Sequence, residues 1–162
     1  MKSLVVYESM FGNTHDIAEA IAIGLADTGD VDILDVSNAP TDLAGVDLLV
    51  VGGPTHAFSM SRENSRSEAV SKGATDASTT GIREWLDALP AQGPHPPLAT
   101  FDTHAKQRWI PGSAAKAAAK EAKHHGLRAV ASESFYVEGT EGPLAEGELE
   151  RATAWGRSLT EA

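Results

Sequence analysis

The chain has 162 residues, 41% of them hydrophobic, enough for one compact domain with a real core and too few for two ordinary ones. Thirteen basic against twenty-three acidic side chains give a formal net charge of -10, which opposes binding to nucleic acid or to anionic membrane faces and favours a basic partner. No cysteine occurs, so disulfides, iron–sulfur clusters and thiolate catalysis are excluded by composition.

The N-terminal "MKSLVVYES" has one basic residue and an apolar run that stops at Glu8, short of a signal peptide. No other stretch approaches the roughly 20 apolar residues of a membrane span. These features set the expectation of a soluble, cytoplasmic protein. "KSLVVY" reads as a first strand, and "THDIAEAIAIGLADTG" as a helix with Ile17, Ile21 and Leu25 at four-residue spacing before Gly29. "DVDILDV" is a second strand. A short turn or helix start is expected at Asp42 to Ala44, and "GVDLLVVGG" is a third strand whose unbroken apolar centre suits burial on both faces.

After "GPTHAF", a Ser-, Thr- and Gly-rich stretch from Ser59 to Thr80 is the longest irregular segment, with a helical piece around "ENSRSEAV". "GIREWLDAL" is a short helix ended by Pro90, and "PLATFD" a fourth strand from Pro97 to Asp102. "GSAAKAAAKEAKHHG" is a helix by alanine content, with Ser113 as its cap and Gly126 as its stop. "LRAVASESFYV" is a fifth strand, and "PLAEGELERATAWGRSL" a last helix with Pro143 in its first turn. Strands alternating with helices predict a single α/β domain over residues 1–162, a five-stranded parallel sheet of order 2-1-3-4-5 with helices on both faces. In that order ligands bind beyond the carboxyl ends of the strands, where the winding reverses between strands one and three. Three loops meet there: Ser9 to Thr14, the one beginning at Pro54, and Asp102 to Gly112.

"SMFGNT" supplies Ser9, Asn13 and Thr14 as donors and Gly12 for a tight backbone, with a helix directly behind it. Free N–H groups at a helix start favour an anion, and a phosphate is the natural occupant. The turn lacks the Gly-Lys-Ser/Thr of a triphosphate loop and the three spaced glycines of a dinucleotide fold, which argues against both ligands. Taken alone, the turn either binds an anion or merely caps the first helix.

The stretch resembles the phosphate loop of the flavodoxin family, a hydroxyl-rich, basic-free Ser/Thr-x-x-Gly-x-Thr turn after strand one, matched by Ser9, Gly12 and Thr14. The family's Gly-x-Thr type loop after strand three resembles "GGPTHAF", and its loop after strand four resembles "DTHAKQRW". The uninterrupted fifth strand is similar to the short-chain members, and the tract as a whole is most similar to a little-characterised bacterial branch. The resemblance implies FMN bound without covalent attachment, its phosphate on Ser9, Met10, Phe11, Gly12, Asn13 and Thr14. The flavin ring would then lie between Pro54, Thr55, His56, Ala57 and Phe58 on one side and Asp102, Thr103, His104 and Trp109 on the other. Trp109 or Phe58 either stacks on the ring or anchors its own loop. Asp102 either faces the pyrimidine side of the flavin or forms a turn.

His56 and Ala57 depart from the family, His56 standing where an aromatic or methionine is common and Ala57 where many members have a glycine whose peptide flips. Arg62 and Arg66 either steer an anionic substrate or line a solvated loop. Glu138 and Glu141 border the same edge by topology. No pattern among the six histidines makes a metal site, and no catalytic residue is assigned. The resemblance implies an electron carrier passing reducing equivalents from a flavin reductase to a redox partner with a basic docking face. An FMN-dependent oxidoreductase acting on a quinone or similar small acceptor is the alternative, and a flavin-free signalling module is a third.

Overall fold

The computed structural model describes residues 1–55, 60–63, 66–67, 70, 80–106, 112–139 and 141–161. Its strands are β1 (Lys2–Tyr7), β2 (Asp30–Asp35), β3 (Leu48–Pro54), β4 (Leu98–Ala105) and β5 (Ala129–Val137). Its helices are α1 (Asn13–Leu25), α2 (Ile82–Asp87), α3 (Ala114–His124) and α4 (Glu148–Ser158), with a 3-10 turn at Val36–Asn38. The strands form one sheet of order β2-β1-β3-β4-β5, parallel throughout, as the alternating sequence pattern predicts.

The strand period divides the core in two. Leu4 and Val6 of β1, with Leu49 and Val51 of β3, face α2 and α3 and pack with Trp85, Leu86 and Ala118. Val5 and Val50 point the other way, into a cluster with Ile17, Ile21 and Leu25 of α1, Phe101 of β4, Phe135 of β5 and Ala152 of α4. The four-residue spacing along α1 thus gives its buried stripe, and each of those three side chains contributes about 1.5–3 kcal/mol by leaving water. β2 is an edge strand, and Asp30 and Asp32 place charge along it.

Two expected boundaries move. β4 runs to Ala105 rather than stopping at Asp102, because Thr103, His104 and Ala105 pair with Phe135, Tyr136 and Val137. α4 starts at Glu148 behind a left-handed Gly147 (φ 83°), so Pro143 lies outside it. The chain there is committed elsewhere: Leu144 bridges antiparallel to Val137, and the Glu138 N–H donates to the Pro143 carbonyl at 2.8 Å. The expected helical piece after residue 60 is described only in part, where the Arg66 N–H donates to the Arg62 carbonyl at 3.0 Å.

α1 and α4 cross backbone to backbone at Gly24 and Gly156. A Cβ on Gly24 would stand 2.6 Å from the Arg157 amide nitrogen, and one on Gly156 would stand 3.0 Å from the Ile21 carbonyl carbon. Gly156→Ala gains up to about 1 kcal/mol of helix propensity, but the obstructing atoms are backbone and cannot swing away. Overpacking of this kind costs about 1–3 kcal/mol and prevails, so urea denaturation of Gly156→Ala should show a lower midpoint than wild type.

Candidate functional site

The carboxyl ends of β1, β3, β4 and β5 bring four connections to one edge of the sheet. At the first, Gly12 takes a left-handed conformation (φ 93°, ψ -11°), turns the chain from β1 into α1 and serves as the N-cap. No side chain caps the helix, so the first-turn amides of Asn13, Thr14 and His15 have no capping acceptor among the described residues. The Asp16 amide is the first to find its helical partner, the Gly12 carbonyl, at 3.1 Å.

Around this opening the side chains are already placed. Ser9, 2% exposed, accepts the Gly12 N–H on its Oγ at 3.1 Å and still has its own proton to donate. Thr14 Oγ1 lies 2.8 Å from Thr103 Oγ1, joining the turn to β4. Asn13 Nδ2 donates to the Glu141 carbonyl at 3.0 Å, so its amide group holds the β5–α4 connection to the turn. That approach is close: a Cβ on Gly142 (φ 110°) would meet Asn13 Nδ2 at 2.8 Å. Met10 is buried and Phe11 half-buried.

The second and third loops are braced against each other. The Thr55 N–H donates to the Thr103 carbonyl at 2.9 Å, and Thr55 Oγ1 accepts the Ala114 N–H at 3.1 Å. Pro54 ends β3 opposite Thr103. His104 sits on β4 rather than in a loop, its Nδ1 2.7 Å from the Ala105 carbonyl and its Nε2 3.1 Å from the Gly112 carbonyl.

Asp102 departs most from expectation. It is fully buried, and its Oδ2 accepts the Ser113 hydroxyl and, at 2.9 Å, the Ala115 N–H. This carboxylate caps α3 together with Ser113 and offers no surface for a flavin to touch, and its Oδ1 has no partner among the described residues. His56, Ala57, Phe58 and Trp109 lie outside the described residues.

The fourth connection, β5 to α4, is held by Glu148, which is 8% exposed. Its Oε2 accepts the Tyr136 N–H at 2.7 Å and an Arg151 N–H at 2.6 Å, while the Arg151 guanidinium stacks 4.5 Å from the centre of the Phe135 ring. The hydrogen bonds from Arg151 hold the Glu148 carboxyl below its ordinary range; burial opposes them and the Tyr136 amide adds to them.

Two features escaped the sequence reading. Glu8, read only as the residue that stops an apolar run, is 1% exposed and accepts hydrogen bonds from the Ser61 hydroxyl and the Ile82 N–H. Arg66, expected either to steer a substrate or to line a solvated loop, does neither: it is 5% exposed and its Nη2 lies 2.5 Å from Glu84 Oε1. A lone Glu after a strand and an Arg in a polar stretch carry no local signal, because their partners come from distant segments. His125 contacts Asp87 and Glu121, each at 3.6 Å, and His15 contacts Glu19 at 3.1 Å, on helix surfaces.

The lowered carboxyl of Glu148 gives a pH test. Its contribution to stability is present above the unfolded value of 4.5 and is lost as pH falls through the lower folded value. Glu148→Gln should unfold at a lower urea concentration than wild type at pH 7, and the gap should narrow as pH is taken below 4.5.

Comparison with known proteins agrees with this architecture. The sequence model of the family described as Flavodoxin matches residues 5–84, from β1 through the start of α2. No curated protein matches the sequence. Among solved structures, flavodoxin 1 from Bacillus cereus superposes with a TM-score of 0.71 at 16% identity, covering 99% of this chain and 98% of that one. A flavodoxin from the domain Archaea gives a TM-score of 0.66 at 20% identity, covering 99% of this chain and 97% of that one. The flavodoxin of Streptococcus pneumoniae TIGR4 gives 0.67 at 18% identity, with 99% of both chains covered. At these identities the structural likeness shows the flavodoxin-like fold alone, and the match to the Flavodoxin family model, over residues 5–84, takes in the Ser9–Thr14 turn.

Proposed function

We propose that the chain binds FMN without a covalent bond and carries reducing equivalents between a flavin reductase and an acceptor protein. The observation that supports this best is the start of α1: a left-handed Gly12 without a capping side chain leaves first-turn amides open beside the buried Ser9 and Thr14 hydroxyls. A phosphate dianion removed from water needs several donors when no cation accompanies it, and amides at a helix N-terminus supply them. The match to the Flavodoxin family model supports FMN as the phosphate-bearing group.

When bound, FMN would supply the redox chemistry. The residues of this chain would bind and orient it: Ser9 and Thr14 by their hydroxyls, and Gly12, Asn13 and Thr14 by backbone N–H groups. Asn13 acts on this reading mainly through its backbone, since its side chain is committed to Glu141. Thr55 and Thr103, joined across the ends of β3 and β4, would give the ring side a rigid floor.

The net charge of -10, with Asp16, Glu138 and Glu141 exposed around the same edge, supports docking to a redox partner with a basic face. Such an encounter is steered by charge and weakens as salt rises. Among the described residues no helix is long and apolar enough to cross a membrane.

The test is to soak the purified protein with FMN, desalt it and record the visible spectrum. Retained flavin absorbance is expected, and colourless protein would sink the proposal. Ser9→Ala and Thr14→Val each remove one hydrogen bond to a charged group, worth about 1.5–3 kcal/mol, so FMN affinity should fall by about tenfold or more. Riboflavin, which has no phosphate, should bind both variants about as well as wild type.

A further inference from the structure

Glu8 is a deeply buried ionisable group at the ligand edge, and none of the proposed cofactor contacts uses it. It follows β1, where its backbone N–H donates to the Gly52 carbonyl at 2.9 Å and continues the β1–β3 pairing. Its carboxylate then joins two segments that are distant in sequence. Oε2 accepts the Ser61 hydroxyl, and Oε1 accepts the N–H of Ile82, the first residue of α2, at 2.8 Å.

A buried cation completes the arrangement. Arg66 Nη1 donates to Ser61 Oγ at 2.9 Å while its Nη2 meets Glu84 Oε1, and Arg83 Nη2 donates to the Met60 carbonyl at 3.2 Å. Gly81 leaves room for this contact, since a Cβ there would stand 2.6 Å from Glu8 Oε1. Burial pushes the Glu8 carboxyl up, against the opposing pull of Ser61, the Ile82 amide and Arg66. A carboxylate kept out of water at that cost, with both oxygens satisfied, acts as a tie between chain segments.

What it ties borders the proposed flavin. After β3 the chain is fixed at Thr55, through Thr103 and Ala114, and it is fixed again at Ser61, through Glu8. We propose that Glu8 is a positioning residue for the ring side of the cofactor site: it fixes Ser61 and the start of α2 against the end of β1, while Ser9 to Thr14 hold the phosphate. The inference rests on the FMN reading above. Its physical basis is preorganisation, because Ser61 and the start of α2, fixed on Glu8 before binding, have less freedom to lose when a planar ring docks at this edge.

The experiment compares FMN and riboflavin binding to wild type, Ser61→Ala, Glu8→Ala and Glu8→Gln, with inorganic phosphate as a competitor against FMN. Ser61→Ala and Glu8→Ala should each raise the dissociation constants of FMN and riboflavin by the same factor, about tenfold, and leave the phosphate inhibition constant unchanged. Glu8→Gln, which keeps an acceptor for the Ile82 N–H and a hydrogen bond to Ser61, should lie nearer wild type. The Glu8→Ala/Ser61→Ala double variant should lose no more than Glu8→Ala alone, as expected of two groups in one contact. If Glu8→Ala fails to fold, Ser61→Ala carries the test.

Weakened FMN with unchanged riboflavin would overturn the proposal by assigning Glu8 to the phosphate turn. Unchanged affinity for both flavins, with only a lowered melting temperature, would overturn it by leaving Glu8 a purely structural tie. Wild-type protein that binds neither flavin would defeat the FMN reading itself, whereas wild type that binds both while Ser61→Ala binds equally well defeats this inference alone.

Discussion

The pairing of β1 with β3 is the constraint on which the rest of the molecule depends. Ser3 through Tyr7 lie against Leu48 through Gly52, and the Glu8 N–H extends the ladder by one bond to the Gly52 carbonyl. β2 lies on the other side of β1, so the chain winds one way from β1 and the opposite way from β3. Connections leaving the two strands therefore diverge to opposite faces, and a crevice opens between them. Everything polar in the candidate site is drawn to this crevice by topology, without any residue being specialised to make it.

The edge shows how a protein keeps a polar site dry enough to be useful and satisfied enough to fold. Most of its buried polar groups are already matched in pairs, Thr14 with Thr103, Thr55 with Ala114, Asp102 with Ser113 and Ala115, Glu8 with Ser61 and Ile82. Each pairing joins two different segments of the chain, so one set of contacts satisfies donors and fixes loops at once. The start of α1 is treated differently, its amides having no capping side chain. A helix end of this kind is stabilised by an anion, which makes ligand and fold parts of one balance.

The architecture was legible in the sequence because it rests on periodicities. The β-branched apolar run in "KSLVVY", the four-residue spacing of Ile17, Ile21 and Leu25, and the Ser113 and Gly126 boundaries are local signals, and β1, α1 and α3 form where they point. The "SMFGNT" turn was legible for the same reason, as a glycine and hydroxyls between a strand and a helix. The misplaced pieces depend on partners that the local pattern does not show. Thr103 and His104 read as loop residues because β4 continues only by virtue of β5 beside it. Asp102 reads as a turn former or a flavin neighbour until α3 is seen starting against it. Glu8 and Arg66 meet through Ser61, and nothing local to either residue announces that meeting.

The tie between Asn13 and Glu141 spans 128 residues of chain. On a ribosome, the turn after β1 therefore emerges long before the segment it is tied to. α1, likewise, packs on β1 and β3 first and gains its helical neighbour only when α4 has been made. The turn at the start of α1 thus gains its tie to the β5–α4 connection only when most of the domain has been made, although the turn itself is synthesised early.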